Sequence, residues 1–267
     1  MPIIRKISLA AACLIISALG ASAQTSDPAL YQATAIVTGT DMRQRPLGFA
    51  ETLKQVLVKV SADPALLQKP EISALADHAD QYVASFDYVD PRAWFLHHDD
   101  QGTYDRSYEL TVHFVPEKID ATLKQLGIAP WLGPRPLLTP VIIVRRNETP
   151  FLLSADTPRG TEMRQTIIEL ATEYGFGVHF PTDNEFAEWG VGLVGFPAPL
   201  AGHDAGLLRI TGSLDWDVHA MGWVGTWHVG TANASHDWTI GGVGFDAAFA
   251  DMVRGAIPYA RAGVTSQ

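Results

Sequence analysis

The chain has 267 residues, with 19 basic against 29 acidic side chains for a formal net charge of −10, and it carries one cysteine. Nucleic-acid binding needs a basic stripe that releases counterions from phosphates, and no Lys/Arg cluster here exceeds Arg145-Arg146, so that class is excluded. Adhesion to anionic lipid is disfavoured on the same electrostatic ground, and a lone cysteine excludes a disulfide framework and a thiolate metal site.

The amino terminus reads as an export leader. Arg5 and Lys6 form a positive region, Ile7 to Leu19 is apolar and uncharged, and Ala21-Ser22-Ala23 is a small-x-small cleavage site. Residues 1–23 are therefore the expected signal peptide, with cleavage after Ala23, a mature chain beginning at Gln24, and a periplasmic location. The apolar run is shorter than the ~20 residues a spanning helix needs, so no integral membrane segment is expected in the mature chain. Cys13 lies inside the run and leaves with it. A cut just before Cys13, giving a lipidated first residue, is the competing reading, and it leaves only Ile7 to Ala12 as the apolar region.

Tyr31 to Thr38 is a short β-branched stretch. A turn from Gly39 leads to Pro46, pre-organised for a first helical turn, and Phe49, Ala50, Leu53, Val56, Leu57 and Val60 then share one face at helical spacing. A second, weaker helix is expected over Ile72 to Val83. Between Tyr88 and Phe114 the pattern becomes a hairpin turning near Asp99 to Gly102. Its second arm alternates Tyr108, Leu110, Val112 and Phe114 with polar residues. Pro116 opens a helix carrying Ile119, Leu123 and Leu126, which Gly127 closes.

Residues 130–140 hold four prolines with Trp131 and read as a stiff connector. Val141 to Val144 is a buried strand, Thr157-Pro158 a helix start, and Met163, Ile167, Leu170, Ala171 and Tyr174 the buried stripe of that helix, which stops at Gly175. Phe176 to Phe180 is expected as a strand and Gly190 to Gly206 as a long loop. Strands follow at Leu208 to Val218, Trp223 to Val229 and Asp237 to Ile240. A closing helix uses Phe245, Ala248, Phe249, Met252 and Ala256, with Pro258 near its end. The expected fold class is α+β: a module over 24–129 ordered β-α-β-β-α, the connector, and a module over 141–267 ordered β-α-β-β-β-β-α.

The Tyr31 to Thr38 stretch, the helix ending Val56-Leu57-Val58-Lys59-Val60-Ser61, the strand Leu110 to Phe114, and Trp131 with Arg135-Pro136 together resemble a bacterial secreted family catalogued as domain of unknown function 2066. The resemblance runs from about Tyr31 to Val144. It departs at Ala62, where that family's pattern has glycine. It implies an envelope setting and transfers no activity. The second half is loosely similar, in element order alone, to the small α+β modules of periplasmic envelope-assembly factors.

Several residue groups are candidates for chemistry. Gly190-Val191-Gly192-Leu193-Val194-Gly195 matches a dinucleotide fingerprint but lacks the strand before and the helix after that it requires, so it is read as a loop and no cofactor is expected. His97, His98, Asp99 and Asp100 concentrate metal-ligand types, although neighbours on a strand point to opposite faces and the hairpin tip accounts for their polarity. Asp215, Asp217 and His219 share the polar side of one strand with His228 on the next, a set that would suit acid and base work in a pocket. Trp216, Trp223, Trp227 and Trp238 fall on adjacent strands. Core packing is expected for the set, with Trp227 and Trp238 the candidates for exposure to a glycan or a protein partner. Serine-elbow, S-x-x-K, H-E-x-x-H and P-loop signatures are absent from the sequence. The expectation is a non-catalytic periplasmic binding or scaffolding protein whose partner is an envelope protein or a cell-wall component. The alternative is a cell-wall hydrolase or a glycan-binding module in the second half.

Overall fold

Strand β1 (Gln32–Thr38) turns Ala33, Ala35 and Val37 inward and leaves Thr34, Ile36 and Thr38 exposed, a strict period of two. Helix α1 (Arg45–Ser61) lays Phe49, Leu53, Val56, Leu57 and Val60 on that inner face and ends at Ala62, which adopts the left-handed conformation (φ 49°) usually given to glycine. This is the computed structural model of the chain, and it describes residues 27–94, 106–146, 149–196, 206–230 and 235–264.

The helix expected over Ile72 to Val83 is shorter than its pattern. Helix α2 (Glu71–Ala76) stops early, a 3-10 turn covers Ala79–Tyr82, and β2 (Val83–Val89) begins where the helix was expected to end. The reason is visible in β2 itself. Phe86 and Tyr88 alternate with Ser85 and Asp87, and the two rings meet Phe49 and Tyr108 edge-on, with centroids 5.2 and 6.4 Å apart. Strand β3 (Ser107–Phe114) lies between β1 and β2, antiparallel to both, and α3 (Pro116–Gln125) follows. The β-α-β-β-α order is a split β-α-β unit that ends before adding a strand outside β1.

The second sheet has the order β5-β4-β6-β7-β8. Its strands are β4 (Leu137–Arg145), β5 (Phe151–Leu152), β6 (Leu207–Asp217), β7 (Gly222–Gly230) and β8 (Ser235–Val243). Among the described strand pairs of this sheet only β4–β6 is parallel. Helices α4 (Thr161–Glu173) and α6 (Phe245–Val264) cover one face, with Leu138, Ile142, Leu208, Ile210, Leu214 and Trp227 buried beneath Ile167, Phe249, Met252 and Val253. A short α5 (Asp183–Glu188) lies against the other face. The architecture is thus α+β in two modules, one built on three strands and one on five.

In the second half the order is β-β-α-α-β-β-β-α, since β5 and α5 are present and Phe176 to Phe180 is not a full strand, and boundaries shift from the sequence reading at further points. Strand β4 takes the last residues of the connector, including Pro140. The neighbours Leu138 and Ile142 bond outward, away from β6, to the 177–179 segment and to Leu153, so Pro140 lacks its N–H on that outer side and the β6 ladder is intact. Helix α4 starts at Thr161 because Gly160 turns the chain there at φ 80°. Phe176 to Phe180 contributes only one bridge, Val178 to Leu138. Helix α6 runs through Pro258 to Val264.

The modules are joined by polar contacts at the end of α1, whose last carbonyls have no partner within the helix. The Trp131 N–H donates to the Val60 carbonyl at 2.9 Å, and Arg135 donates to the Val60 and Trp131 carbonyls, both at 3.1 Å, and to that of Tyr174. Arg261 on α6 donates to the Ser61 carbonyl. Val58, Ala62 and Trp131 belong to the same apolar cluster as the second sheet. Among the described residues no helix is long and apolar enough to cross a membrane.

Candidate functional site

Two sheet faces carry polar side chains outward: the α5 side of the five-stranded sheet, and the outer face of the three-stranded sheet. On the first, Phe186 and Val191 pack on Val141, and the Trp189 ring lies 4.4 Å from the Arg209 guanidinium, so the β4 half of that face is covered. The β7–β8 half, with Thr226, His228, Asp237 and Thr239, is open.

The structure separates the acid-base set proposed from sequence. Asp215 stands opposite Arg145 in the parallel β4–β6 register and binds it at 3.1 Å through Oδ1, while Ser213 donates to Oδ2 at 2.6 Å, so both carboxylate oxygens already accept hydrogen bonds. Asp217 closes the β6–β7 turn. Its Oδ1 accepts the N–H groups of His219 (2.7 Å) and Ala220 (3.2 Å), and those backbone donors hold its carboxyl below the ordinary aspartate value. His219 sits on the turn, exposed. His228 pairs with Thr211, four residues from Asp215 along the strand, a separation of about 13 Å. It instead binds Asp237 across the β7–β8 pair, Nδ1 to Oδ1 at 2.8 Å. The Nε2 side of that ring lies towards Gly230 and Ser235, an order that superficially follows a carboxylate-imidazole-hydroxyl series. The Asp237 side chain is 77% exposed, however, and the arrangement is that of a cross-strand pair on an open surface.

The tryptophans face the helices. Directly opposed residues share a sheet face, and the pairs Trp216–Trp223 and Trp227–Trp238 are in register, so all four point to the α4/α6 side. Trp227, a sequence candidate for exposure, is 1% exposed and packs on Phe249. Trp238 is half-buried. Its Nε1 donates to Asp251 at 2.9 Å, and its ring stacks on His236 with centroids 5.0 Å apart. Trp216, at the strand end, is 36% exposed, with the Arg146 guanidinium 5.3 Å from its ring. The sheet therefore offers no four-ring platform.

The 190–195 glycine motif follows helix α5, with Gly190 turning at φ 66° to end it, so it lacks the strand-to-helix context that would cradle a pyrophosphate. His97, His98, Asp99 and Asp100 lie outside the described residues. Among the described residues no group of three or more His, Cys, Asp or Glu is placed to hold a metal ion. Two shallow grooves lie in the first module, about 300 Å³ between α2 and α3 at Leu75 and Leu126, and about 280 Å³ at Met42, Arg45 and Phe49. None of the sequence-proposed residues lines either groove.

The feature that the sequence reading missed is the outer face of the three-stranded sheet. In register it presents Gln32, His113 and Ser85, then Thr34, Thr111 and Asp87, then Ile36, Glu109 and Val89. Thr34 and Thr111 share a hydroxyl hydrogen bond of 2.8 Å across the strands, and Ile36 is 63% exposed. The signal available in sequence is the alternation of Ala33, Ala35 and Val37 with Gln32, Thr34, Ile36 and Thr38, which marks a strand covered on one side only.

Residues 23–132 match a family described as a domain of unknown function, DUF8605. That span is less than half the chain, and it covers the first module to the start of the joint. The match corrects the resemblance to domain of unknown function 2066, which is a different family. The motifs behind that resemblance are a β-branched strand, a helix end, an alternating strand and a Trp-Arg joint, all of which serve packing in this fold. No curated protein matches the chain, and no solved structure does.

Proposed function

We propose that this chain is an exported, non-catalytic binding or scaffolding protein of the bacterial envelope. The observation that carries the proposal is the outer face of the three-stranded sheet: three strands wide, polar with exposed Ile36 and Val89, and without a covering layer among the described residues. A sheet normally buries one face and solvates the other, and an open face mixing apolar and hydrogen-bonding side chains is suited to a partner's surface. The leader over residues 1–23 supports the compartment. The joint at Arg135 and Arg261 supports the scaffold part of the reading, since it ties the partner-facing sheet to the larger module.

Two measurements test this. Mass analysis of the chain released by osmotic shock should find Gln24 as its first residue, and an unprocessed chain confined to the cytosol would refute the compartment. A photo-crosslinking residue at Glu109, on the central strand of the face beside Ile36 and Val89, should give adducts of discrete mass in intact cells, whereas one at Glu162 on α4 should not. Equal yields from both sites, or none from Glu109, would refute the face as the binding surface.

A further inference from the structure

Strand β1 is the outermost strand of its sheet, and its backbone shows which groups point away from β3. The Gly39 N–H donates to the Arg106 carbonyl at 2.8 Å, directly across the continuing register, so Ala33, Ala35 and Val37 bond inward to β3 and Gln32, Thr34, Ile36 and Thr38 face out. Lys59 takes the Gln32 carbonyl at 2.8 Å. The N–H and C=O groups of Thr34, Ile36 and Thr38 have no partner among the described residues.

The other edges are guarded. Strand β2 carries a register shift at Val83/Ser85 and the charged Asp87, and β8 pairs through a shift at Trp223/Gly225, turns at Gly242 (φ 72°) and carries Asp237. Strand β5 is two residues long. Strand β1 has seven residues in regular register, with no charge, proline or bulge. Edges left in this state are templates for another strand.

We infer that the β1 edge is a strand-addition site, and that its occupant is an extended segment of a partner polypeptide, which enters antiparallel and carries basic side chains. This deepens the envelope-binding reading and rests on it. A row of alternating donors and acceptors is satisfied only by another extended backbone. A second copy of this chain is disfavoured by α1, which packs chiefly on β1: Gly48 lies against Val37 and Leu110, and Lys59 reaches the edge itself. Pairing two β1 strands through their outward groups would set both α1 helices side by side on one face of the joined sheet, where each must be accommodated against the other. A lone extended segment brings no helix. Its outward side chains would lie beside Thr34, Ile36 and Thr38 with Glu109 and Asp87 behind them, on a sheet with no Lys or Arg in any of its three strands and a chain of net charge −10. An apolar residue at Ile36 with lysine or arginine to either side is the complementary pattern.

The test is amide hydrogen exchange, read residue by residue, on the full chain as purified from its host. The probe is a capped heptapeptide, threonine-lysine-alanine-valine-alanine-lysine-threonine. Without peptide, the Thr34, Ile36 and Thr38 amides should exchange fast while those of Ala33, Ala35 and Val37 are protected; with peptide, the first three should slow by about tenfold or more. The same peptide N-methylated on the amides facing β1 should give no slowing. Ile36→Pro removes an outward N–H and no ladder bond, so it should keep the fold and abolish the effect. Unchanged exchange with the lysine peptide overturns the inference. So does protection already present in the free chain, whether fixed, meaning another segment covers the edge, or rising with protein concentration, meaning a second copy does. None of these results bears on the Gln24 terminus or the Glu109 adducts, so the envelope reading stands or falls separately.

Discussion

At Trp227 the packing depends on what its neighbours lack. The indole lies over two glycines of the same sheet face: a Cβ on Gly225 would fall 2.3 Å from its ring and one on Gly212 2.6 Å from it. A methyl group at either site overlaps a buried aromatic in a close-packed layer, and at Gly212 it also meets the Thr226 carbonyl at 2.2 Å. Gly212→Ala is therefore expected to destabilise by about 3 kcal/mol, at the upper end of the range for overpacking. Trp227→Ala should cost about 3–5 kcal/mol through the cavity it leaves. Trp227→Phe should cost clearly less, because the indole N–H is buried without a partner and phenylalanine removes that donor along with the volume. Urea midpoints of the three variants check the order. The alternation of β6 shows from sequence which of its residues are apolar, but the β7 register that puts Trp227 opposite Gly212 is set by tertiary pairing. Sequence could place the tryptophans on neighbouring strands and could not say which ring was covered.

Among the elements, α5 is short enough that its cap decides its stability. Thr182 accepts the Glu185 N–H at 3.2 Å, and Glu185 reaches back to the Thr182 N–H at 2.8 Å, a complete capping box, with His179 bonding the second carboxylate oxygen at 2.9 Å. The Thr182 N–H, followed by His179 and the Thr182 hydroxyl, draws the Glu185 carboxyl below its ordinary value of 4.5. A carboxyl lowered on folding adds stability that is complete above its unfolded value and is lost as pH falls through the folded one. Amide protection factors over residues 183–191, which are corrected for the slower intrinsic exchange in acid, should therefore fall below about pH 4.5, and Glu185→Gln should flatten that acid dependence. Thr182→Ala should weaken the segment by about 1 kcal/mol at neutral pH. The Thr-x-x-Glu spacing is legible in the sequence, where Asp183 to Glu188 reads as an acidic segment, helical or irregular, ahead of the glycine motif. The long helices α1, α4 and α6 were readable because each repeats its apolar stripe over several turns, whereas α5 anchors through Phe186 alone.

For the whole molecule, the decisive contacts are those at the carbonyl end of α1. The Arg135 guanidinium lies 5.1 Å from the Trp131 ring and 5.5 Å from that of Phe176, and it bonds carbonyls from α1, from the connector and from the residue after α4. Burial, then the nearby charge of Arg261, lower its pKa to about 10, so it remains a cation at neutral pH facing the negative end of a helix. Gly175 makes room for it, since a Cβ there would fall 2.2 Å from Nη1. The sequence shows the prolines of the joint and the glycine stop, and it gives no sign that one arginine gathers them. Because the carbonyls of Val60, Ser61 and Tyr174 lose their partners if the modules part, separation exposes or orphans charge-assisted bonds, each contributing roughly 1.5–3 kcal/mol. The two modules should therefore unfold in one calorimetric transition. Arg135→Ala with Arg261→Ala should resolve it into two, the first module melting earlier because α1 loses its terminal partners. Arg135→Lys should restore little, since a single ammonium cannot span carbonyls on three segments. A wild-type chain that already melts in two steps would mean that the modules are independent, and the open sheet would then be carried on a hinge.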